Sequence, residues 1–355
     1  MKIFDKKGTY VIDGSIMAAE RPAEASSKML GGFVSPISAA VIDRLAAAGH
    51  ALYGAAGGAE LGAFQMCGEY VKSEAVEAVK GGEVSFALCN ALSGDVMREA
   101  ALAGLYYIKP TYGTVSRFGV IPNACSMDAV GVLCRDAETG FKVLGAIAGY
   151  DPRDGAMYDK QSYAYKPYAG GIRAAYAMVG QYSGLAPLCN ALDAIPAETS
   201  LFDAMAAAQY ILWSAEFCNN TSRYDGIKFG YRAESFSGIP SLIENTRTNG
   251  FGTDVKLGAV VGSLVLSEDC YGPVYDKALR VRRVLKDTLN FKDYDVILLP
   301  ASMDGDYFEQ TALYAAANLC GLPCAAVPCG DTGALMLAAP QREDILMSAM
   351  ERSRK

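Results

Sequence analysis

The single histidine of the chain, His50, is the first residue to consider for nucleophilic catalysis. A Ser-His-Asp or Cys-His mechanism would have to use this imidazole as its base. His50 lies in AAAGHALYG, at a predicted junction between a helix and a strand, and no residue of that segment is placed to orient its ring. We therefore interpret His50 as a structural or surface residue.

The ten cysteines raise the question of a metal site. No CxxC spacing occurs, and the densest group is CGLPCAAVPCG, which holds Cys320, Cys324 and Cys329. A tetrahedral zinc site would need a fourth ligand, and no histidine is near. We interpret these residues as small, reduced core side chains and expect no metal and no cofactor.

Polar groups are concentrated in NALSGD, residues 90–95, immediately before a predicted helix. Asp95 would begin that helix, where a carboxylate can accept backbone N–H bonds and meet the positive end of the dipole, contributing about 0.5–2 kcal/mol. We favour this helix-capping role over a catalytic one. Cys89, just upstream, falls inside the predicted strand VSFALC, so a buried structural thiol is the better interpretation.

Composition excludes several classes of protein. With 355 residues, 51% hydrophobic and 20% charged, the chain can bury a substantial core. A net charge of −7 argues against direct binding of nucleic acid, which requires clustered Lys and Arg. No apolar run approaches the roughly 18 residues of a membrane span, and the N-terminus does not resemble a signal peptide. We expect a cytoplasmic protein without a membrane partner.

Helical and strand patterns alternate along the chain, which favours a mixed α/β fold with a covered sheet. One helix is predicted from Ser35 and Pro36 to Gly49, and another in VYDKALRVRRVLKDTL, with Val281, Val284 and Leu285 facing inward. Weak periodicity makes residues 160–195 the least certain segment. No linker is evident, so we expect one domain over residues 1–355.

Longer blocks resemble the amidase signature family, and within it the A subunits of glutamyl-tRNA(Gln) amidotransferases. They include IKPTYGTVSRFG, SMDAVGVLCRDAETGFKVLGAIAGYDPRD, SAEFCNNTSRYDGIKFGYRAE and TRTNGFGTDVK. The resemblance extends from about residue 10 to 340. It implies an amidase-signature fold, a mixed central β-sheet covered by helices on both faces. The resemblance also implies that the family's N-terminal helices are missing and that the chain is shortened around 160–195.

The family hydrolyses amides with a serine nucleophile, a second serine on a cis peptide and a lysine that relay a proton. Counting from KPTYG places Asp95 at the nucleophile, Val71 at the second serine and Asp13 at the lysine. The resemblance therefore implies that the triad is lost. It also implies a binding role for Asn90 and Ser93 near the site and for Tyr224 of RYDG, which the family uses to bind glutamine.

Three functions remain open. The first is a non-catalytic binding or assembly subunit, with a protein partner resembling the other amidotransferase subunits. The second is an amidase or glutamine-dependent amidotransferase with altered chemistry, using Cys89, Ser93 or a water bound by Asp95. The third is a small-molecule binding protein, because Asp13 and Asp95 would face each other and two close carboxylates recruit a cation.

Overall fold

The computed structural model describes residues 1–179, 184–197, 202–289 and 291–353. Within these ranges, eleven strands form one sheet in the order β1-β3-β2-β4-β6-β5-β10-β11-β9-β7-β8. The strands are β1 (Lys2–Ile3), β2 (Tyr10–Asp13), β3 (Leu52–Ala56), β4 (Phe86–Asn90), β5 (Tyr106–Lys109), β6 (Val130–Cys134), β7 (Ala174–Ala177), β8 (Ile195–Ala197), β9 (Val296–Pro300), β10 (Cys324–Val327) and β11 (Ala334–Ala338). Strand β2 pairs in parallel with β3 and β4, and β7 pairs in parallel with β8 and β9. The other pairings are antiparallel, so the sheet is mixed, as expected.

Helices are interleaved with the strands along the chain. They are α1 (Ala40–Ala47), α2 (Glu74–Gly81), α3 (Asp95–Leu102), α4 (Ala137–Ile147), α5 (Ala186–Ala191), α6 (Phe202–Thr221), α7 (Ile239–Gly250), α8 (Thr253–Val265), α9 (Glu268–Cys270), α10 (Lys277–Thr288), α11 (Tyr307–Cys320) and α12 (Glu343–Arg352). Short 3₁₀ helices occupy Lys28–Leu30 and Glu60–Gly62, and a π-helical turn, Tyr271–Asp276, joins α9 to α10. No helix in the described ranges is both long and apolar enough to span a bilayer.

Two hydrophobic cores cover the two faces of the sheet. In β2, Val11 belongs to one core while Tyr10 and Ile12 belong to the other, because successive strand side chains point to opposite faces. Helices α2, α3, α6 and α11 contribute to the first core, and α1, α4 and α12 contribute to the second. Strands buried on both faces read as continuous apolar runs, which explains the composition of VILLP in β9 and ALMLA in β11.

Two local predictions were wrong. The helix predicted from Ser35 begins instead at Ala40, because the Ser35 hydroxyl bonds to the backbone of Ile37 in a local turn. In α10, Leu285 is buried as predicted, but Val284 is 47% exposed. The inward position is taken by Arg282, whose guanidinium donates to the Leu319 carbonyl at 2.6 Å. A charged side chain with carbonyl acceptors can thus displace an apolar one from the buried side of a helix.

Lys109, at the end of β5, is a buried cation that ties the sheet to α11. Its Nζ donates to the carbonyl oxygens of Leu322 at 2.9 Å and Ala317 at 3.3 Å, near the C-terminal end of that helix. A cation is favourable there because the helix dipole is negative at this end. Burial nevertheless disfavours the charged form and lowers the pKa of Lys109 to about 8.

This lowered pKa predicts how Lys109→Met changes stability with pH. The unfolded chain binds more protons than the folded chain between about pH 8 and the ordinary lysine pKa near 10.5, so the contribution of Lys109 to the free energy of unfolding rises with pH across that window. We expect the wild type to gain up to about 3 kcal/mol relative to Lys109→Met from pH 7 to pH 10.5. Urea unfolding at several pH values measures the difference, with Lys142→Met, at an exposed position, as control. A pH-independent difference would contradict it.

Candidate functional site

The site lies where three neighbouring parallel strands end. Strands β2, β3 and β4 finish at the same edge of the sheet, and Asp13, Ala56 and Asn90 are their last residues. A cavity of about 50 Å³ opens there, with room for a few water molecules. Its polar and charged lining side chains are Asp13, Ser26, Gln65, Ser73, Asn90, Ser93, Asp95 and Glu99.

Every site residue predicted from the sequence lines this cavity except Tyr224. Asp13 and Asp95 both reach it, and Val71, which is 49% exposed, forms part of its wall. Tyr224 is instead buried in an aromatic cluster, with its ring edge-on to those of Phe229 and Phe251 at 5.8 and 6.0 Å between centroids. The structure therefore gives Tyr224 a packing role and brings the other predicted residues together.

Asp95 begins α3, as predicted, but it does not act as a backbone cap. Its donors within the described residues are side chains, and all three bond to the same oxygen, Oδ2. Ser93 Oγ donates at 2.8 Å, the Tyr307 hydroxyl at 2.9 Å and Gln65 Nε2 at 3.2 Å. The helix-capping interpretation was wrong about the donors: Ser93 is only two residues before Asp95, but Gln65 and Tyr307 come from distant parts of the chain.

The loop that carries Asp95 is held by two helices. The Leu92 carbonyl accepts from Asn318 Nδ2 of α11 at 2.5 Å and from Gln209 Nε2 of α6 at 2.9 Å. Gly94 follows with a φ of +89°, a conformation that favours glycine, and the Tyr314 ring packs directly against it. This packing fixes the direction in which Asp95 enters the cavity.

Asp13 is a half-buried carboxylate without a cationic partner. Its Oδ1 accepts the Ser15 backbone N–H at 2.7 Å, and no ion pair to it occurs among the described residues. Burial raises the pKa of the Asp13 carboxyl, an effect that this N–H and that of Asn90 partly oppose. The fold thus holds an acid where its charge is disfavoured.

Asp13→Asn is therefore expected to stabilise the protein at pH 7. Because the pKa of Asp13 is higher in the folded state than in the unfolded state, the native state holds more protons than the unfolded state above about pH 4. The free energy of unfolding therefore falls as the pH rises through this range. We expect the free energy of unfolding to increase by roughly 1 kcal/mol at pH 7 and the gain to shrink toward pH 3. Chemical denaturation at both pH values tests this, with the exposed Asp331→Asn as control. Destabilisation at pH 7 would refute the expectation.

Asn90 is occupied by structural hydrogen bonds. Its Nδ2 donates to Asp128 Oδ1 at 2.8 Å, and its Oδ1 accepts the Ala129 N–H at 3.3 Å. Asp128 also accepts the Asn123 N–H at 3.1 Å, while burial raises the pKa of its carboxyl. Asn90 therefore shapes the cavity wall with both ends of its amide already bonded.

Sequence reasoning missed a second group of site residues: Gln65, Tyr70, Ser73, Glu99 and Tyr307. Gln65 joins Val71 to Asp95, because its Oε1 accepts the Val71 N–H at 2.6 Å and its Nε2 donates to Asp95. Glu99 accepts the Tyr70 hydroxyl at 2.6 Å and the Ser73 N–H at 3.0 Å. Only Glu99 carried a detectable signal, since it lies one turn after Asp95 on the same helix face.

The charged side chains in the cavity lining are all acidic. Arg98 lies close by: its Nη1 donates to Gln310 Oε1 at 2.7 Å, and its guanidinium stacks on the Tyr70 ring at 4.7 Å. Burial raises the pKa of the Glu99 carboxyl, and the charge of Arg98 partly opposes that effect. Burial raises the pKa of the Cys89 thiol well above its ordinary value, so this sulfur is held as an inert thiol. Among the residues that the structure describes, the lining therefore offers carboxylates, hydroxyls and amides.

Other candidate residues lie away from this chemistry. His50 Nδ1 is 3.4 Å from Thr9 Oγ1, and its ring packs edge-on against Phe86 at the start of β4, the opposite end from Asn90. In the described ranges, no group of three or more His, Cys, Asp or Glu side chains is arranged to hold a metal ion.

Comparisons with known proteins define the class. The amidase family profile matches residues 77–341, more than half of the chain. The chain belongs to the amidase signature family.

Its curated relatives include the A subunits of glutamyl-tRNA(Gln) amidotransferases. That of Lachnoclostridium phytofermentans is 31% identical over 353 residues, covering 86% of this chain and 72% of that protein. That of Halothermothrix orenii is 33% identical over 288 residues, covering 71% of this chain and only 59% of that protein. The chain is similar to these proteins and matches only part of their length.

Solved structures share the fold at lower identity. The corresponding glutamyl-tRNA(Gln) amidotransferase protein of Thermotoga maritima aligns with a TM-score of 0.74 and 21% identity over 97% of this chain and 81% of its own. The native peptide amidase of Stenotrophomonas maltophilia aligns with a TM-score of 0.75 and 22% identity over 98% of this chain and 82% of its own. A structure described as a vestigial protein complex, related to the origins of an s-triazine catabolic enzyme, aligns with a TM-score of 0.78 and 20% identity over 98% of this chain and 83% of its own.

Proposed function

We propose that this chain is a non-catalytic member of the amidase signature family that serves as a binding or assembly subunit. The proposal is supported by the lining of one cavity, which includes Asp13, Val71 and Asp95, the residues that the resemblance aligns with the family's lysine and two serines. A serine hydroxyl attacks an amide only when a base takes its proton, and the lining offers no amine for that step. We infer that the family's fold is retained while the chemistry of this cavity has changed.

The assembly role is supported by the kinds of protein that the chain resembles. The curated relatives are named as subunits, and one structural neighbour is described as a protein complex. We propose a protein partner of the kind that accompanies those subunits. If the protein is purified under mild conditions from its native cells, we expect it to elute with a partner chain. Elution as a lone monomer would contradict the assembly role.

The loss of hydrolysis is tested by amide turnover. We expect no ammonia release from glutamine, asparagine or simple carboxamides above the level of a heat-denatured sample. The matched variant is Asp95→Ala, which removes the carboxylate at the nucleophile position. Amide-dependent ammonia release that the wild type shows and Asp95→Ala loses would overturn the proposal, because it would assign turnover to this cavity.

One observation favours an altered enzyme as the second candidate. Ser93 Oγ donates to Asp95 Oδ2 at 2.8 Å, the arrangement of a hydroxyl beside a carboxylate base. Against this role, Tyr307 and Gln65 donate to the same oxygen, so the acceptor that would take the serine proton already has two other donors. Ser93→Ala separates the candidates. Ammonia release that the wild type shows and Ser93→Ala loses would favour the altered enzyme, whereas the binding protein releases no ammonia with or without this hydroxyl.

A further inference from the structure

Helix α8 is apolar around its whole circumference. Its run LGAVVGSLVL, residues 257–266, contains no charged side chain. One face packs closely on α6, where Gly258 lies against the Trp213 ring and Gly262 against the Ser214 carbonyl. Helices that are apolar on every side are ordinarily buried on every side. The face of α8 that points away from α6 therefore calls for a cover.

This outer face is open to solvent. Val260 is 65% exposed and Leu264 is 58% exposed, and the two lie one helical turn apart on the same face. Leu257 and Val261, which are partly exposed, widen the apolar stripe. Half-exposed Tyr271 extends it, because the π-helical turn packs against α8. Apolar side chains grouped in this way mark a surface that binds another protein.

The two ends of the stripe carry charges of opposite sign. Lys256 lies four residues before Val260, and Glu268 lies four residues after Leu264, beside Asp269. All three charged side chains are exposed, and none forms an ion pair with another described residue. The order along the chain is thus one cation, two apolar residues and an acidic pair.

The acids closest to Lys256 in the sequence and structure are engaged within the chain. Asp254 Oδ1 accepts the Cys67 N–H at 2.7 Å, and Glu60 Oε2 accepts the Gly252 N–H at 2.8 Å. Burial raises the pKa of the Glu60 carboxyl, and the charge of Lys256 partly opposes that effect. Lys256 is therefore attracted to Glu60 but remains at the surface without an ion pair.

An antiparallel pairing of two α8 helices covers the apolar stripe and pairs its charged ends. With a twofold axis beside Gly262, Val260 of one copy meets Leu264 of the other. Lys256 lies six residues from that axis, about 9 Å along the helix, and Glu268 lies six residues beyond it on the other side. Lys256 of one copy therefore meets Glu268 of the other, near the negative end of the facing helix. A parallel pairing would instead bring like charges together.

We propose that the outer face of α8 is a self-association surface, through which two copies of this chain form a twofold-symmetric dimer. A second copy is the occupant that the surface fits, because the sequence of charges at one end is complementary to the charges at its own other end. The inference goes beyond the proposed function and does not depend on it.

Sedimentation velocity of the purified full-length protein tests the proposal, over concentrations from nanomolar to high micromolar. We expect a dimer that dissociates on dilution, and we expect Val260→Lys and Leu264→Lys each to weaken it at least tenfold. Leu102→Lys is the matched control, because it places the same charge on a half-exposed apolar residue of α3. A wild type that stays monomeric throughout, or equal weakening by Leu102→Lys, would overturn the proposal.

Charge reversal tests the antiparallel arrangement. Lys256→Glu and Glu268→Lys each create two like-charge contacts in the symmetric dimer, so each is expected to weaken dimerisation about tenfold at low salt. The double variant restores opposite charges at both contacts and is expected to recover dimerisation. A double variant no better than the single ones would overturn the arrangement. Both positions are exposed, so these variants still decide the outcome if a substitution in the apolar stripe fails to fold, as judged by circular dichroism.

This proposal and the proposed function fail separately. Dimerisation is measured on the purified chain alone, whereas the assembly role requires a different chain from the native cells. A chain that is monomeric alone but elutes with a native partner would overturn the dimer and leave the assembly role standing. A dimer that elutes with no other chain would do the reverse.

Discussion

Gly94→Ala is expected to destabilise the protein by roughly 3 kcal/mol, the first of two large effects. A φ of +89° disfavours any residue with a Cβ, at about 1 kcal/mol. A methyl group there would also overlap the ring of Tyr314, a buried residue whose hydroxyl bonds to the Ala301 carbonyl, and overpacking of a core typically costs about 1–3 kcal/mol more. Urea unfolding followed by circular dichroism measures the sum.

Gly104 provides a matched control for this substitution. It has a φ of +79°, and an added Cβ there would meet nothing within 4 Å. Gly104→Ala is therefore expected to cost only the backbone part, about 1 kcal/mol. Equal losses for the two variants would show that Tyr314 does not constrain the loop that carries Asp95.

Trp213→Ala is expected to lower the free energy of unfolding by about 3–5 kcal/mol, the cost of emptying a large core site. Trp213 is fully buried in α6, with its ring centroid 4.7 Å from that of Phe217 and 4.9 Å from that of Phe64. Its Nε1–H donates to Asn123 Oδ1 at 2.6 Å, and Asn123 Nδ2 donates in turn to the carbonyl of Gly62, which lines the cavity. The substitution thus removes packing and one support of the cavity wall.

Trp213→Phe separates these two contributions. The phenyl ring keeps much of the aromatic packing but cannot donate to Asn123, so we expect a loss of about 1–2 kcal/mol. Because Trp213 is the only tryptophan, both variants lose the fluorescence signal and unfolding has to be followed by circular dichroism. A loss below about 1 kcal/mol for Trp213→Ala would contradict its role as a core anchor.

Much of the fold could be predicted because its signals are local. The strand that ends at Lys109 is followed by Pro110, and α2 ends at Gly81 with Gly82 in the left-handed conformation at its C-cap. The start of α3 at Asp95 is likewise marked by the polar turn before it. Each of these boundaries depends on residues within a few positions of the boundary itself.

Two of the three donors to Asp95, Tyr307 and Gln65, could not be predicted because their positions depend on tertiary structure. Tyr307 lies 212 residues from Asp95 and Gln65 lies 30 residues away. Tyr307 reaches the site through α11, which packs against α6, and no local pattern marks that contact. Val284 was misassigned for a related reason, since the carbonyl acceptor that draws Arg282 inward, Leu319, belongs to another helix.

Asp13 and Asp95 line the same cavity, and their placement near one site was predicted by resemblance and not from local pattern. Composition and periodicity place Asp13 at the end of a strand and Asp95 at the start of a helix, without joining them. The parallel pairing of β2 with β4 brings the two ends to one edge of the sheet. The order of strands in the family therefore supplied what the residues alone could not.

The central claim is that the cavity contains no activated nucleophile, and covalent labelling tests it most directly. Fluorophosphonates react with serine hydroxyls from which a neighbouring base removes the proton. After incubation of the folded protein with such a reagent, we expect intact-mass spectrometry to find the protein mass unchanged. A single adduct that maps to Ser26, Ser73 or Ser93, and that does not form on the heat-denatured protein, would contradict the account.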